Sequence, residues 1–179
     1  MEEKGEIGTA VHAKIESYLL NTEYTPSPKM YIESKADVLF KVFKNWAEEV
    51  NPRALSMEEN LCNGRYGGTY DAILQYPDGP IGLVDFKTST RPRPYNLFQL
   101  GGYLNLLEEL QPEIYQSLTF VSVLVLGQGD GKIKILTRSI PEMEKYKVGF
   151  EQMYQIFMML KDILWGDWNH TRIVEGWTQ

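Results

Sequence analysis

Near the amino terminus, apolar side chains recur at spacings of three and four. Val11, Ile15, Tyr18 and Leu19 share one face of a helix predicted to run from Thr9 to Leu20, with Thr9 as its cap. Two prolines between Thr22 and Lys29 mark a loop. A second helix follows from Tyr31 to Val50, with Ile32, Ala36, Leu39, Phe43 and Trp46 inward, and Asn51-Pro52 stops it. The period then changes to two. Ala54–Leu61, Gly68–Gln75 and Ile81–Lys87 alternate like strands, and Asn63-Gly64 and Pro77-Asp78-Gly79-Pro80 are turn signals between them. These segments predict a three-stranded antiparallel meander. Pro92 and Pro94 precede a helix from Tyr95 to Leu110. Thr119–Leu126 is the most apolar run and predicts a buried strand, turned by Gly127–Gly131 into another at Lys132–Thr137. Ser139-Ile140-Pro141-Glu142 has capping-box spacing and opens a long helix ending near Trp165. The expected architecture is one α/β domain over residues 1–179, a central mixed β-sheet flanked by helices.

Composition narrows this reading. The chain has 179 residues, 43% of them apolar and 23% charged, within the globular range. No stretch approaches the ~18 uninterrupted apolar residues of a membrane span. The acidic start Met1–Glu6 lacks the apolar segment of a secretory signal, so a cytoplasmic protein is expected. Cys62 is the single cysteine, which excludes an internal disulfide and four-cysteine zinc or iron–sulfur sites. Eighteen Lys and Arg against twenty-four Asp and Glu give a net charge of −6. That argues against holding nucleic acid by bulk charge. It argues less against an enzyme that meets phosphate through divalent cations held by carboxylates.

The candidate chemistry begins at Leu83-Val84-Asp85-Phe86-Lys87. Strand alternation puts Asp85 and Lys87 on one face and Val84 and Phe86 on the other. An ion pair at a strand end is the structural alternative. Asp71, in the preceding strand, can reach the same hard cation as Asp85, and the two carboxylates would repel without one. His12 opens the first helix; imidazole completes such carboxylate sites, although a helix histidine is also common as a plain core or surface residue. Glu16, one turn on, shares its face and could orient it. Gln99 and Tyr103 are four apart on one helix face. Gly101 and Gly102 thin that helix, either for a ligand or for close packing on the sheet.

Gly8-Thr9-x-x-His12, Gly68-Thr69-Tyr70-Asp71, Val84-Asp85-Phe86-Lys87-Thr88-Ser89 and Gln99-x-x-x-Tyr103 occur together in this order. In order and spacing they resemble the PD-(D/E)XK nuclease superfamily, in its RecB-like exonuclease branch. The resemblance covers Gly8 to Tyr103 and implies a restriction-endonuclease-like core. It implies a metal site for magnesium or manganese made by His12, Asp71, Asp85 and the main-chain carbonyl of Phe86. Asp71, Asp85 and Lys87 would be catalytic, Lys87 acting on the attacking water and the phosphorane charge. Gln99 and Tyr103 correspond to the branch's helical motif near DNA.

The relatives with a four-cysteine iron–sulfur cluster are excluded by the single Cys62. A motor would be a separate protein, because no Gly-x-x-x-x-Gly-Lys-Ser/Thr is present. What the resemblance leaves is a small stand-alone deoxyribonuclease, of the phage or organellar end-processing kind. DNA, single-stranded or at duplex ends, would be the substrate, and a recombination, repair or replication protein a partner. Arg91 and Arg93, followed by Tyr95 and Phe98, could guide a backbone or stack a base, or could be a solvated loop. An endonuclease on the same fold and a non-catalytic binding relic are the alternatives. Serine hydrolase chemistry has no Gly-x-Ser-x-Gly, Cys62 has no identifiable partner, and His170 is assigned to the surface or the tail.

Overall fold

The computed structural model describes residues 2–127 and 131–165; part of the Gly127–Gly131 turn, His170 and the tail tryptophans Trp168 and Trp177 lie outside them. The elements are α1 (Glu2–Leu20), α2 (Met30–Val50), β1 (Arg53–Cys62), β2 (Gly67–Gln75), β3 (Ile81–Lys87), α3 (Pro94–Leu110), α4 (Pro112–Ser117), β4 (Phe120–Val125), β5 (Lys134–Ser139) and α5 (Ile140–Trp165). They form an α/β fold around a five-stranded sheet of order β1-β2-β3-β4-β5.

The meander β1-β2-β3 is antiparallel, as its short turns require; Gly64 and Gly79 take φ of +82° and +99° to make them. β4 lies parallel to β3, with Gly82 opposite Phe120 and Lys87 opposite Val125. A parallel neighbour needs a crossover, and α3 and α4 supply it. β5 returns antiparallel to β4, which makes the sheet mixed. Among the described residues, no helix is long and apolar enough to cross a membrane.

Each face of the sheet has its own core. On one, Val11 and Ile15 of α1 and Ile32, Leu39, Phe43 and Trp46 of α2 pack on Ala72, Leu74, Val84, Phe86 and Leu124. On the other, Leu97, Leu100, Leu104 and Leu107 of α3 and Met143 of α5 cover Ile73, Leu83, Val121, Val123 and Val125. Alternation along β3 and β4 thus feeds two layers, and the strands are apolar on both faces.

Four details differ from expectation. α1 starts at Glu2, so Thr9 is interior and donates from Oγ1 to the Gly5 carbonyl at 3.2 Å instead of capping. The acidic first turn, Glu2 and Glu3, favours that earlier start against the helix dipole. β5 begins two residues later than its alternation suggested, at Lys134. The short α4 has no buried residue and hence no apolar period to announce it. The proposed capping box is half formed: Glu142 Oε2 accepts from the Ser139 N–H and from its hydroxyl, both at 2.8 Å.

Candidate metal centre

Two irregularities in neighbouring strands build the site. β1 and β2 pair at Met57 with Ala72 and at Glu59 with Tyr70, leaving Glu58 and Asp71 between these pairs. Glu58 has φ +46°, a left-handed conformation that costs a non-glycine residue roughly 1–3 kcal/mol. On the other side, the β2–β3 pairing ends at Ala72 with Val84. Just beyond it the Phe86 N–H donates to Asp71 Oδ2 at 2.6 Å. A buried N–H must find an acceptor, so the Asp71 carboxylate takes over where the ladder stops. The strands part here, and the gap is lined with charge.

α1 lays His12 over this gap. Its Nε2 lies 3.0 Å from the Phe86 carbonyl, an acceptor, so Nε2 carries the proton. Nδ1 then faces Glu58 Oε1 at 3.4 Å and Asp71 Oδ1 at 3.6 Å. One ligand atom from each of His12, Glu58 and Asp71 lies within 4.8 Å of the others. The ring of Phe86 anchors this corner from below, edge-on to His12 at 6.2 Å and to Phe43 at 5.4 Å. Burial opposes a charge on His12, but Glu58 and Asp71 outweigh it, and the pKa is raised above its ordinary value.

Asp85 is 1% exposed. Its Oδ1 accepts from Lys87 Nζ at 2.5 Å, while Oδ2 is buried with no hydrogen-bond partner. Burial pushes its pKa up to about 6, against the pull of Lys87, and Asp71 adds to the rise. Asp71 is also pushed up by burial, with His12 and Lys87 opposing. Asp71 and Asp85 are thus two buried carboxylates close to one another, and Asp85 holds an oxygen with no hydrogen-bond partner.

The structure therefore brings His12, Asp71 and the Phe86 carbonyl into contact, with the Asp85–Lys87 pair beside them. Sequence reading missed Glu58, which joins His12 and Asp71 in the closest ligand set. Its signal was the run Met57-Glu58-Glu59: two successive carboxylates cannot both keep strand alternation with the same surroundings. Glu59 serves the fold instead, accepting from Tyr70 Oη at 2.6 Å and from Gln111 at the start of α4. Glu16 lines a cavity of about 550 Å³ with His12 and Glu58. The orienting partner of His12 is the Phe86 carbonyl.

Gln99 Nε2 donates to Tyr103 Oη at 3.1 Å, and Tyr103 lies over Gly68, where a Cβ would come within 2.9 Å of its ring. Gly68 is thus small so that Tyr103 can approach β2. Burial raises the Tyr103 pKa, and Asp71 and Asp85 add to it, so the phenol stands in the field of the site. Gly101 and Gly102 serve packing, but against α5: a Cβ would meet the Tyr146 backbone at 2.6 Å and the Phe150 ring at 2.7 Å. Phe98 is likewise packed on α5, stacked edge-on to Tyr146 at 5.3 Å and pressed against Gly149, which removes it from base stacking. Tyr95, Arg91 and Arg93 are exposed on the loop and the start of α3.

Fold and site together define an α/β protein in which α1 and the two adjacent strands β1 and β2 bring together a His–Glu–Asp set that could hold a metal ion. No protein-family model matches the chain, and no curated protein matches it.

Proposed function

We propose that this chain is a metal-dependent deoxyribonuclease with a restriction-endonuclease-like core, of the RecB-like branch of the PD-(D/E)XK superfamily. Its reaction is hydrolysis of DNA phosphodiester bonds at strand ends, in recombination, repair or replication. The observation that carries this reading is the convergence of His12, Asp71, Asp85 and Lys87 where β2 and β3 part. A structural ion pair explains Asp85 and Lys87 but not the unpartnered Asp85 Oδ2 or the second buried carboxylate beside it.

The donor set fits magnesium or manganese: carboxylate oxygens and one imidazole nitrogen, the Phe86 carbonyl expected as a further ligand being taken instead by His12 Nε2. His12, Glu58, Asp71 and Asp85 would hold the ion. When bound, it neutralises phosphate and lowers the pKa of a coordinated water. The protein supplies the rest. Lys87 fixes a positive charge beside Asp85, where a phosphorane's negative charge develops. The Phe86 carbonyl keeps the Nδ1 lone pair of His12 toward the carboxylates. Tyr103 and Gln99 offer a hydroxyl and an amide close by, and exposed Arg91 and Arg93 offer contacts to a DNA backbone.

End-labelled linear DNA and a closed circle, each incubated with magnesium, manganese or a chelator, test the reading. Linear DNA should be degraded with metal only, and the circle should persist. Cleavage of the circle would assign an endonuclease; no cleavage of any DNA with either metal would leave a binding relic.

A further inference from the structure

Lys87 is the last residue of β3 and Lys134 the first of β5, and both pair with Val125 of β4 between them. Two strand spacings, roughly 10 Å, separate their backbones, and residues paired across a sheet share a face. The chain leaves Lys87 into loop 88–93, where Ser89, Thr90, Arg91 and Arg93 are exposed. Little apolar burial can hold such a loop still, yet it is tied along its length. The Lys87 carbonyl accepts from the Leu126 N–H at 2.9 Å. Lys134 Nζ reaches over from β5 and donates to the Thr90 carbonyl at 3.2 Å, and Ser89 Oγ donates to the Arg91 carbonyl at 3.0 Å. At the far end the Arg93 N–H donates at 2.8 Å to Oδ1 of the buried Asn96. Pro92 and Pro94 fix two further φ angles.

These ties fix the backbone and leave the side chains it carries to do something else. Arg65 is paired with Glu109 and Glu151, and Lys29 with Glu6. Arg91 and Arg93 have no carboxylate partner among the described residues. In a chain with twenty-four acids against eighteen bases, that loop is a local positive charge a few residues beyond Lys87. Tyr95 follows at the start of α3 and is 67% exposed. Two guanidinium groups and an exposed aromatic ring in one short run offer what a nucleic-acid strand needs: counter-charge for its phosphates and a face for a base.

We propose that loop 88–93 and Tyr95 form a clamp for the substrate strand beside the metal centre. Arg91 and Arg93 hold phosphates, Tyr95 stacks an unpaired base, and Lys134 is the positioning residue that sets the loop from β5. This rests on the nuclease reading, in which the scissile phosphate lies at the metal centre and the strand continues past Lys87 over the loop. In a duplex the faces of a base are covered by its neighbours, so the Tyr95 contact requires an unpaired strand.

The test uses single-stranded oligothymidylate and a blunt DNA duplex, with binding measured in calcium across a salt series and hydrolysis in magnesium or manganese. Arg91→Ala and Arg93→Ala should each lower the slope of log affinity against log salt by about 0.7, one phosphate contact on a single strand. Tyr95→Ala should weaken oligothymidylate binding about tenfold, the scale of one lost base contact, with the slope kept and duplex binding unchanged. Lys134→Met should raise KM about fivefold, the scale of one lost hydrogen bond, and affect kcat less. Lys134→Arg, which keeps a donor, should restore the wild-type KM. In a variant already carrying both arginine substitutions, Lys134→Met should add little, because the loop then has no charge to place. Unchanged slopes in both arginine variants, or unchanged oligothymidylate binding by Tyr95→Ala, overturn the clamp and leave the nuclease reading intact. A wild-type KM in Lys134→Met, or an effect that adds in full to the arginine substitutions, overturns the positioning role. A wild-type protein that hydrolyses no DNA with either metal overturns the nuclease reading and the clamp together.

Discussion

Lys147 and Asp85 are both charged groups taken out of water, and the protein surrounds them in opposite ways. Lys147, on α5, is 6% exposed and donates to Glu108 of α3 at 2.7 Å and to Tyr115 of α4 at 2.9 Å, with Glu144 at 3.4 Å. Burial works against its charge, yet these partners hold its pKa above the ordinary value. Asp85 has one cation on one oxygen and nothing on the other, and its pKa is pushed up to about 6. The first arrangement is complete and clasps three helices together. The second is incomplete within the protein, which is why it reads as a binding site and the first as structure.

Removing a carboxylate from the incomplete site should have the largest effect. Asp71→Asn and Asp85→Asn are expected to reduce metal-dependent DNA hydrolysis to background. Melting temperature in chelator should stay level or rise, because a buried charge and its repulsion are gone. Gel assays and melts on the same preparations check this; near-normal cleavage would make the site structural like Lys147.

Next in size is the cation. Lys87→Ala should slow single-turnover hydrolysis by about 10²–10³, the cost of one preorganised donor. Calcium-supported DNA affinity should change far less, since one phosphate contact is a small share of binding. A variant that cleaves at the wild-type rate would remove Lys87 from the chemistry.

The pH dependence of metal-free stability follows from the same contrast. A carboxylate raised on folding binds more protons in the native state than in the unfolded chain, so stability is present below its unfolded pKa and is lost as pH rises through the folded one. For Asp85 that window runs from the ordinary carboxylate value of 3.8 to about 6. Urea melts in chelator should show stability falling across this range, and Asp85→Asn should flatten the fall. A profile that instead climbs from pH 4 to 6 in the wild type, with no response to Asp85→Asn, would contradict the raised pKa.

The clasp should give the smallest change. Glu108→Ala leaves Lys147 with Tyr115 and Glu144, so it should cost about 1–2 kcal/mol in urea denaturation. Hydrolysis should be unaffected. A loss of activity at constant stability would mean that the α3–α5 contact also positions the site.

The two regions differed in legibility for a physical reason. Alternation at Val84-Asp85-Phe86-Lys87 is a local property, and β3 keeps it: Phe86 enters the α1–α2 core while Asp85 pairs with Lys87. His12 and Asp71 were nameable from residue type and position. Glu58 was signalled only by the paired carboxylates Glu58-Glu59; that Glu58 is the one turned to the site depends on a left-handed backbone inside a strand. Lys147 was equally invisible, its partners being 39 and 32 residues away. The glycine pair Gly101-Gly102 announced close packing, but whether the neighbour was the sheet or α5 depended on where α5 returned.

By itself, the sequence determined the order of every element except α4, the antiparallel meander and the face on which Asp85 and Lys87 lie. Periodicity and turn chemistry act over a few residues, so they survive without knowledge of the rest. Tertiary structure decided that β4 runs parallel to β3, that β2 leaves β3 after Ala72, and that Glu58, rather than Glu16, meets His12 and Asp71. Those outcomes depend on which distant segments compete for the same backbone groups and the same buried space, and that competition is settled only when the whole chain is packed.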